Sequence, residues 1–292
     1  AIERGILNRF DGGCQLPLGA MAEKNKEVFQ VKISKASSWN KAPMRFYYES
    51  NVDTNLVDRI VENIKSFIPK SVFVSTSNNN LIAVQNSLSD NGFAFKFSSL
   101  INSVPRKKNN LEQTEWIFFC SKKAVQLYNE VYGKPSSKIA AIGAATALKA
   151  IEVFGVCDFS GKDKSPEQVA KLFEIEQSPI SVLFPISNIT KDTVFNSLSD
   201  SVKKEKFALY ETTPLPGIEK IENEIMVFTS PSNFKSYRNQ HSFLPHQKLI
   251  AFGKTTAKEM ENDGIKNYFV CQKNTSIALL EKIYSICTNG YN

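Results

Sequence analysis

The chain has 292 residues, 42% of them hydrophobic and 22% charged, with 36 Lys and Arg against 29 Asp and Glu. That length and apolar content suit two or three domains with real cores. Two His and five Cys, none of the Cys in a C-x-x-C spacing, argue against a histidine catalyst, a zinc site and a disulfide framework. The unpaired thiols point to a reducing compartment, the cytoplasm. No apolar run approaches the ~18 residues of a membrane span. The formal charge of +7 suits an acidic partner. Its densest clusters are Arg106-Lys-Lys and Lys203-Lys-Glu-Lys, and no nucleic-acid recognition motif accompanies them.

In chain order, Ile2 to Phe10 has a helical pattern. Asp11-Gly-Gly-Cys follows as an open loop that can present the Cys14 thiol. Phe29-Gln-Val-Lys-Ile-Ser and Met44-Arg-Phe-Tyr-Tyr-Glu alternate as half-buried strands. Asp53 is expected to cap a helix with the apolar stripe Leu56, Val57, Ile60, Val61, Ile64, Phe67 and Ile68, which Pro69 ends. Residues 1–71 therefore read as a small α+β domain. The absence of an initial Met reads as a fragment or a processed chain.

From Ser71 the rhythm becomes α/β. Val72-Phe-Val-Ser is a strand, Leu81 to Ser89 a helix and Phe93 to Phe97 a strand, before a polar linker opening at Pro105. Ser165-Pro-Glu-Gln is a capping box with proline at the first helical position. Strands follow at Ile180 to Phe184 and Phe207 to Tyr210, then a second linker, Glu211-Thr-Thr-Pro-Leu-Pro-Gly. Ile225 to Phe228, Leu249 to Phe252 and Tyr268 to Val270 are further strands, and Ser276 to Cys287 is the closing helix.

One unit occurs twice. Trp116-Ile-Phe-Phe-Cys-Ser, with Ile139-Ala-Ala-Ile-Gly-Ala-Ala-Thr, matches Ile225-Met-Val-Phe-Thr-Ser, with Leu249-Ile-Ala-Phe-Gly-Lys-Thr-Thr. Each copy is a buried strand, a Ser N-cap, a second buried strand, a Gly turn and a Thr opening the next helix. The expected fold class is α/β, with two flavodoxin-like parallel-sheet lobes behind the α+β domain. Residues 72–104 plus 214–292 form one lobe and 112–208 the other. Linkers 105–111 and 209–213 form a double hinge over a cleft. Ser121, Thr146, Ser230, Thr255 and Thr256 then stand at helix starts on the carboxyl edges of the sheets, where anions bind. Plain capping explains any one of them. The repetition points to a site.

Two resemblances follow. Glu3-Arg-Gly-Ile-Leu-Asn-Arg-Phe-Asp-Gly-Gly-Cys-Gln-Leu-Pro-Leu-Gly-Ala resembles the C-terminal domain of porphobilinogen deaminase (hydroxymethylbilane synthase) and covers residues 1–71. In that family the residue matching Cys14 carries a dipyrromethane cofactor. The deaminase's two catalytic domains have no counterpart here, so no deaminase activity is expected and Cys14 is expected bare.

Phe228-Thr-Ser-Pro, Phe252-Gly-Lys-Thr-Thr-Ala, Ile142-Gly-Ala-Ala-Thr-Ala and Leu209-Tyr-Glu-Thr-Thr-Pro resemble uroporphyrinogen-III synthase, over residues 72–292. That resemblance implies an enzyme closing hydroxymethylbilane with inversion of its last ring and loss of water, without metal or organic cofactor. It implies that Tyr210 assists departure of the substrate hydroxyl and that the five hydroxyl residues hold substrate carboxylates. A deaminase is the implied partner, and no nucleic acid or membrane. A non-catalytic bilane-binding module, a deaminase-docking module and a fragment of a bifunctional deaminase/synthase are the alternatives.

Overall fold

The computed structural model describes residues 2–10, 16–51, 55–77, 81–162 and 164–288. Cys14, its glycine loop and the Asp53 cap lie outside them. The chain divides into two compact units, residues 1–101 with 214–292, and residues 102–213.

Unit 1 begins with α1 (Ile2–Arg9), the strands β1 (Leu18–Asn25), β2 (Val28–Lys35) and β3 (Met44–Asn51), and α2 (Leu56–Lys65). The three strands form an antiparallel sheet in the order β1-β2-β3. Along β2 and β3, Val31, Ile33, Phe46 and Tyr48 are buried, while Lys32 and Glu49 next to them are exposed and Tyr47 is half-buried. This is the alternation of a half-buried sheet. β1 lacks that apolar run, so its own pattern does not announce a strand.

The rest of unit 1 is β4 (Val72–Val74), α3 (Ile82–Asp90), β5 (Phe95–Phe97), β12 (Ile225–Phe228), α8 (Pro231–Arg238), β13 (Lys248–Ala251), α9 (Lys254–Asn262), β14 (Phe269–Val270) and α10 (Ser276–Ile286). Its parallel sheet runs β14-β13-β12-β4-β5. Alternate strand residues serve two cores. Val72, Val74, Ile225 and Val227 join Leu88 and Ile283 on one face. Phe73, Met226 and Phe228 join Phe234 and Met260 on the other.

Unit 2 holds β7 (Trp116–Phe119), α4 (Lys122–Tyr132), β8 (Lys138–Ala141), α5 (Ala144–Phe154), β9 (Phe159–Ser160), α6 (Pro166–Gln177), β10 (Ser181–Ser187), α7 (Thr193–Ser197) and β11 (Lys203–Pro214). β6 (Ile101–Pro105) lies at the sheet margin, in the order β6-β11-β10-β7-β8-β9. All four side chains of Trp116–Phe119 are buried. Ile117 and Phe119 pack with Val125 and Phe154, Trp116 and Phe118 with Val169 and Phe173. At roughly 1.5–3 kcal/mol per fully buried large apolar side chain, such a strand outweighs any local preference of its residues.

Numbered along its own chain, the unit 1 sheet reads 2-1-3-4-5, the flavodoxin order. The unit 2 core reads 3-2-1-4-5. The two orders are circular permutations of one arrangement, with β12-β13-β14 answering β7-β8-β9 and β4-β5 answering β10-β11. The stretch 209–213, expected as a linker, is strand, because β11 continues through Pro214. The β-branched Thr212 and Thr213 suit extended chain, and β6 pairs alongside. Among the described residues no helix is long and apolar enough to cross a membrane.

Candidate functional site: paired helix starts at two sheet edges

In both orders the direction of winding reverses at one place, between β7 and β10 in unit 2 and between β12 and β4 in unit 1. Ligands of open α/β sheets bind at the carboxyl ends of strands beside such a switch point. Ser121 follows β7 and caps α4, its Oγ accepting from Ala124 N at 3.0 Å. Ser230 follows β12 and caps α8, its Oγ accepting from Asn233 N at 3.2 Å and from Asn233 Nδ2 at 2.9 Å. The two caps share one backbone conformation, φ −158° and ψ 154° against φ −152° and ψ 156°.

The next helix of each unit opens differently from the sequence expectation. The caps of α5 and α9 are Gly143 and Gly253, not threonines. Thr146 and Thr256 stand at the third helical position, 6% and 1% exposed. Thr255 is exposed in the first turn of α9, where Ala145 stands in α5. A glycine cap supplies no side-chain acceptor, so first-turn N–H groups stay open to a ligand. Both glycines are crowded. A Cβ on Gly143 would come within 3.0 Å of the Lys162 carbonyl oxygen, and one on Gly253 within 2.8 Å of Asn274 Oδ1.

Tyr210 lies near the carboxyl end of β11, 7% exposed, in the core that holds Ile117, Val125 and Tyr128. Its hydroxyl is 3.3 Å from Ser121 Oγ. The fold thus brings Tyr210 to the cap of α4, places Thr146 on neighbouring α5, and groups Ser230, Thr255 and Thr256 on α8 and α9.

Cys120, just before Ser121, has its thiol pushed up to about 12 by burial, with the Asp192 charge adding. It is neutral at physiological pH and no nucleophile. Its counterpart Thr229 donates its hydroxyl to the Ser75 carbonyl at 2.6 Å, while Thr229 N donates to Ser75 Oγ at 2.9 Å. Sequence reasoning missed this brace. The signal was present in Val72-Phe-Val-Ser, whose terminal Ser75 reaches the neighbouring strand.

The basic clusters are largely committed inside unit 2. Arg106 pairs with Glu211, Lys108 with Glu205, Lys203 with Glu112, Lys204 with Asp200 and Lys206 with Asp192. A cavity of about 640 Å³ lies between β2–β3 and α10, and none of the expected site residues lines it.

Two doubly wound α/β units, each with a hydroxyl-capped helix start beside its switch point and a glycine-capped start one strand away, define a protein class suited to acidic ligands. Comparison with known proteins narrows it. A sequence profile described as uroporphyrinogen-III synthase HemD matches residues 83–281, more than half of the chain. The chain belongs to the uroporphyrinogen-III synthase family. A search of curated protein sequences gives no match. The solved uroporphyrinogen-III synthetase of Helicobacter pylori is similar at 19% identity, over 75% of this chain and 100% of its own, with a TM-score of 0.58. A mutant uroporphyrinogen III synthase from the extremely thermophilic bacterium Thermus thermophilus aligns at 11% identity over 75% of this chain and 98% of its own, with a TM-score of 0.47. The activity is that of a uroporphyrinogen-III synthase, an enzyme of tetrapyrrole biosynthesis that needs no cofactor.

Proposed function

We propose that helix starts of this kind, at the carboxyl ends of the strands, hold acetate and propionate arms of hydroxymethylbilane while the enzyme closes it with its last ring inverted and water lost. The carrying observation is the repetition: Ser121 with Gly143, and Ser230 with Gly253, stand at corresponding positions of two permuted units. A carboxylate at one helix N-terminus gains about 0.3–1 kcal/mol from the dipole, more where partly buried. Such starts suit a ligand with carboxylates on every ring. Thr255 is exposed to such a ligand, whereas Thr146 and Thr256 shape the first turns from inside.

Tyr210 assists the leaving hydroxyl on this reading. Its O–H can donate to the departing oxygen while Ser121 Oγ stands beside it. An electron-rich pyrrole expels hydroxide readily, so the larger task is folding the bilane until the inverted ring attacks. Residues 1–71 derive, on this reading, from the C-terminal domain of a porphobilinogen deaminase. A separate deaminase would be the cytoplasmic partner that supplies the bilane.

The test feeds the chain freshly made hydroxymethylbilane, oxidises the products and separates the isomers. Predominantly type III above the spontaneous type I background is expected. Type I alone would overturn the ring-inverting reading and leave bilane binding or deaminase docking. Tyr210→Phe should lower kcat about 10- to 100-fold, at or below the lower end for a lost proton donor, with KM nearly unchanged. Full activity in that variant would remove Tyr210 from the chemistry.

A further inference from the structure

A whole synthase fold fits on three quarters of this chain, and the family match begins only at residue 83. The N-terminal α+β module is nevertheless not a separate body. Its Ile6, Val31, Ile33, Phe46, Leu56 and Ile60 share one core with Leu88, Leu280, Ile283 and Tyr284 of α3 and α10.

An aromatic cluster crosses the seam. Phe46 lies 5.8 Å from Tyr284, Phe67 5.8 Å from Tyr284, and Phe93 5.5 Å from Tyr284, ring to ring. The Tyr284 hydroxyl is fully committed, 2.7 Å from Ser87 Oγ and accepting from Asn91 Nδ2 at 3.2 Å. Asn91 Nδ2 also donates to the Ala42 carbonyl at 3.0 Å. Asp90 accepts from Ala42 N at 2.8 Å and pairs with Lys41 at 2.9 Å.

α10 shows the consequence in its own pattern. A helix packed on one sheet buries one stripe. α10 buries Leu279 and Ile283, and also Leu280, Tyr284, Ser285 and Ile286, because the module covers what would be its outer side. Two residues before α10, next to its cap Thr275, stands Asn274, whose side chain lies against Gly253, the cap of α9.

We propose that residues 2–71 brace the synthase. By gripping α3 and α10 the module fixes the loop from Cys271 to Thr275 and so holds Asn274 over the start of α9. Asn274 is thereby a positioning residue for the carboxylate taken there. The functional limb of this inference rests on the substrate role given to α9 above. The structural limb does not.

The test is hydrogen exchange on the full chain, with steady-state kinetics on hydroxymethylbilane. Phe46→Ala, a change inside the module, should speed exchange at least tenfold in α3, α10 and the first turn of α9, while β7 and β8 of unit 2 stay as in the parent. Tyr284→Phe keeps the ring and removes the hydroxyl's bonds, so it serves if Phe46→Ala does not accumulate. It should speed exchange in β3 several-fold, from the opposite side of the seam. Both variants should raise KM about three- to tenfold with kcat within twofold. Trp39→Ala, 75% exposed in the same module, should change neither. Faster exchange confined to the side that carries the substitution would overturn the brace. Exchange spreading into α9 with an unchanged KM would instead overturn the positioning role of Asn274 and the carboxylate site at α9, leaving the mechanical coupling in place.

Discussion

The two sheets agree at their amino edges, whereas at their carboxyl edges they share the helix caps and differ in the residues around them. Glu115 in unit 2 and Glu224 in unit 1 occupy the same place, one residue before β7 and before β12. Glu115 N donates to Ser181 Oγ at 2.9 Å, and Glu224 N to Ser71 Oγ at 2.9 Å. Each carboxylate accepts a backbone N–H from the next strand's approach, Ile180 N in one and Ser71 N in the other, both at 3.0 Å. Each also has a lysine partner, Lys138 or Lys70. At the other edge Cys120 answers Thr229, and Pro185 answers Ser75, so unit 2 lacks both the hydroxyl that donates in the unit 1 brace and the hydroxyl that accepts. Gly161 answers Cys271, and their amides make the same bond, to Ala141 O at 3.0 Å and to Ala251 O at 3.1 Å. The latches that fasten the sheet are kept in both units. The carboxyl edge is where the copies part in side chain.

The sharpest way to break this comparison is at Gly161. A Cβ there would meet the Ile142 carbonyl oxygen at 2.4 Å and Val169 at 2.5 Å, whereas unit 1 accommodates a buried Cys271 at that place. Gly161→Ala should cost about 1–3 kcal/mol or more as overpacking against backbone, read from urea unfolding. Cys271→Ala should cost less. Equal losses would mean that the two edges are built alike.

Next come the caps. Ser121→Ala and Ser230→Ala should each cost about 1 kcal/mol, similar because the two caps share one backbone conformation. Their kinetics should differ, with Ser121→Ala lowering kcat because it also disturbs Tyr210, and Ser230→Ala acting on KM. Identical kinetic profiles would erase the functional asymmetry.

The acid side of the stability curve tests the shared latch. Backbone N–H donation, from Ile180 to Glu115 and from Ser71 to Glu224, leads in holding both carboxyls below their ordinary 4.5. A depressed native value means the contribution is complete above pH 4.5 and fades as the pH drops through the lowered value. Glu115→Gln and Glu224→Gln should therefore flatten the same acid limb by similar amounts in a urea-midpoint series from about pH 2 to 6. The smallest effect is expected for Cys120→Thr, which gives unit 2 the residue of unit 1. The change should be within about 1 kcal/mol, and the parent thiol should resist alkylation up to about pH 10, since it ionises only near 12.

What the sequence disclosed follows from what each element depends on. Trp116–Phe119 and Ile225–Phe228 were legible to the residue because four consecutive large apolar side chains admit little but a doubly covered strand. The capping box at Ser165 formed as read, with Ser165 accepting from Gln168 N and Gln168 returning a bond to Ser165 N. The helix starts after β8 and β13 were misassigned by a few residues. Threonine and glycine cap about equally well, and the tight approach of Lys162 and Asn274 favours glycine there. The long β11 was hidden because its outer half owes its conformation to pairing in the sheet, not to its own alternation. The proximity of Tyr210 to Ser121 was out of reach, since residues 89 positions apart meet only through strand order.

The permuted strand order also sets a timetable for synthesis. Unit 2 is a single continuous stretch and can close as soon as it has left the ribosome. Unit 1 cannot, because β4 and β5 precede the whole of unit 2, whereas β12, β13 and β14 follow it. At about 5–20 residues per second, the apolar edge of β4 waits on the order of ten seconds for its neighbour. During that wait the already-made module, with its own sheet and helices, is the cover nearest to hand for the growing chain.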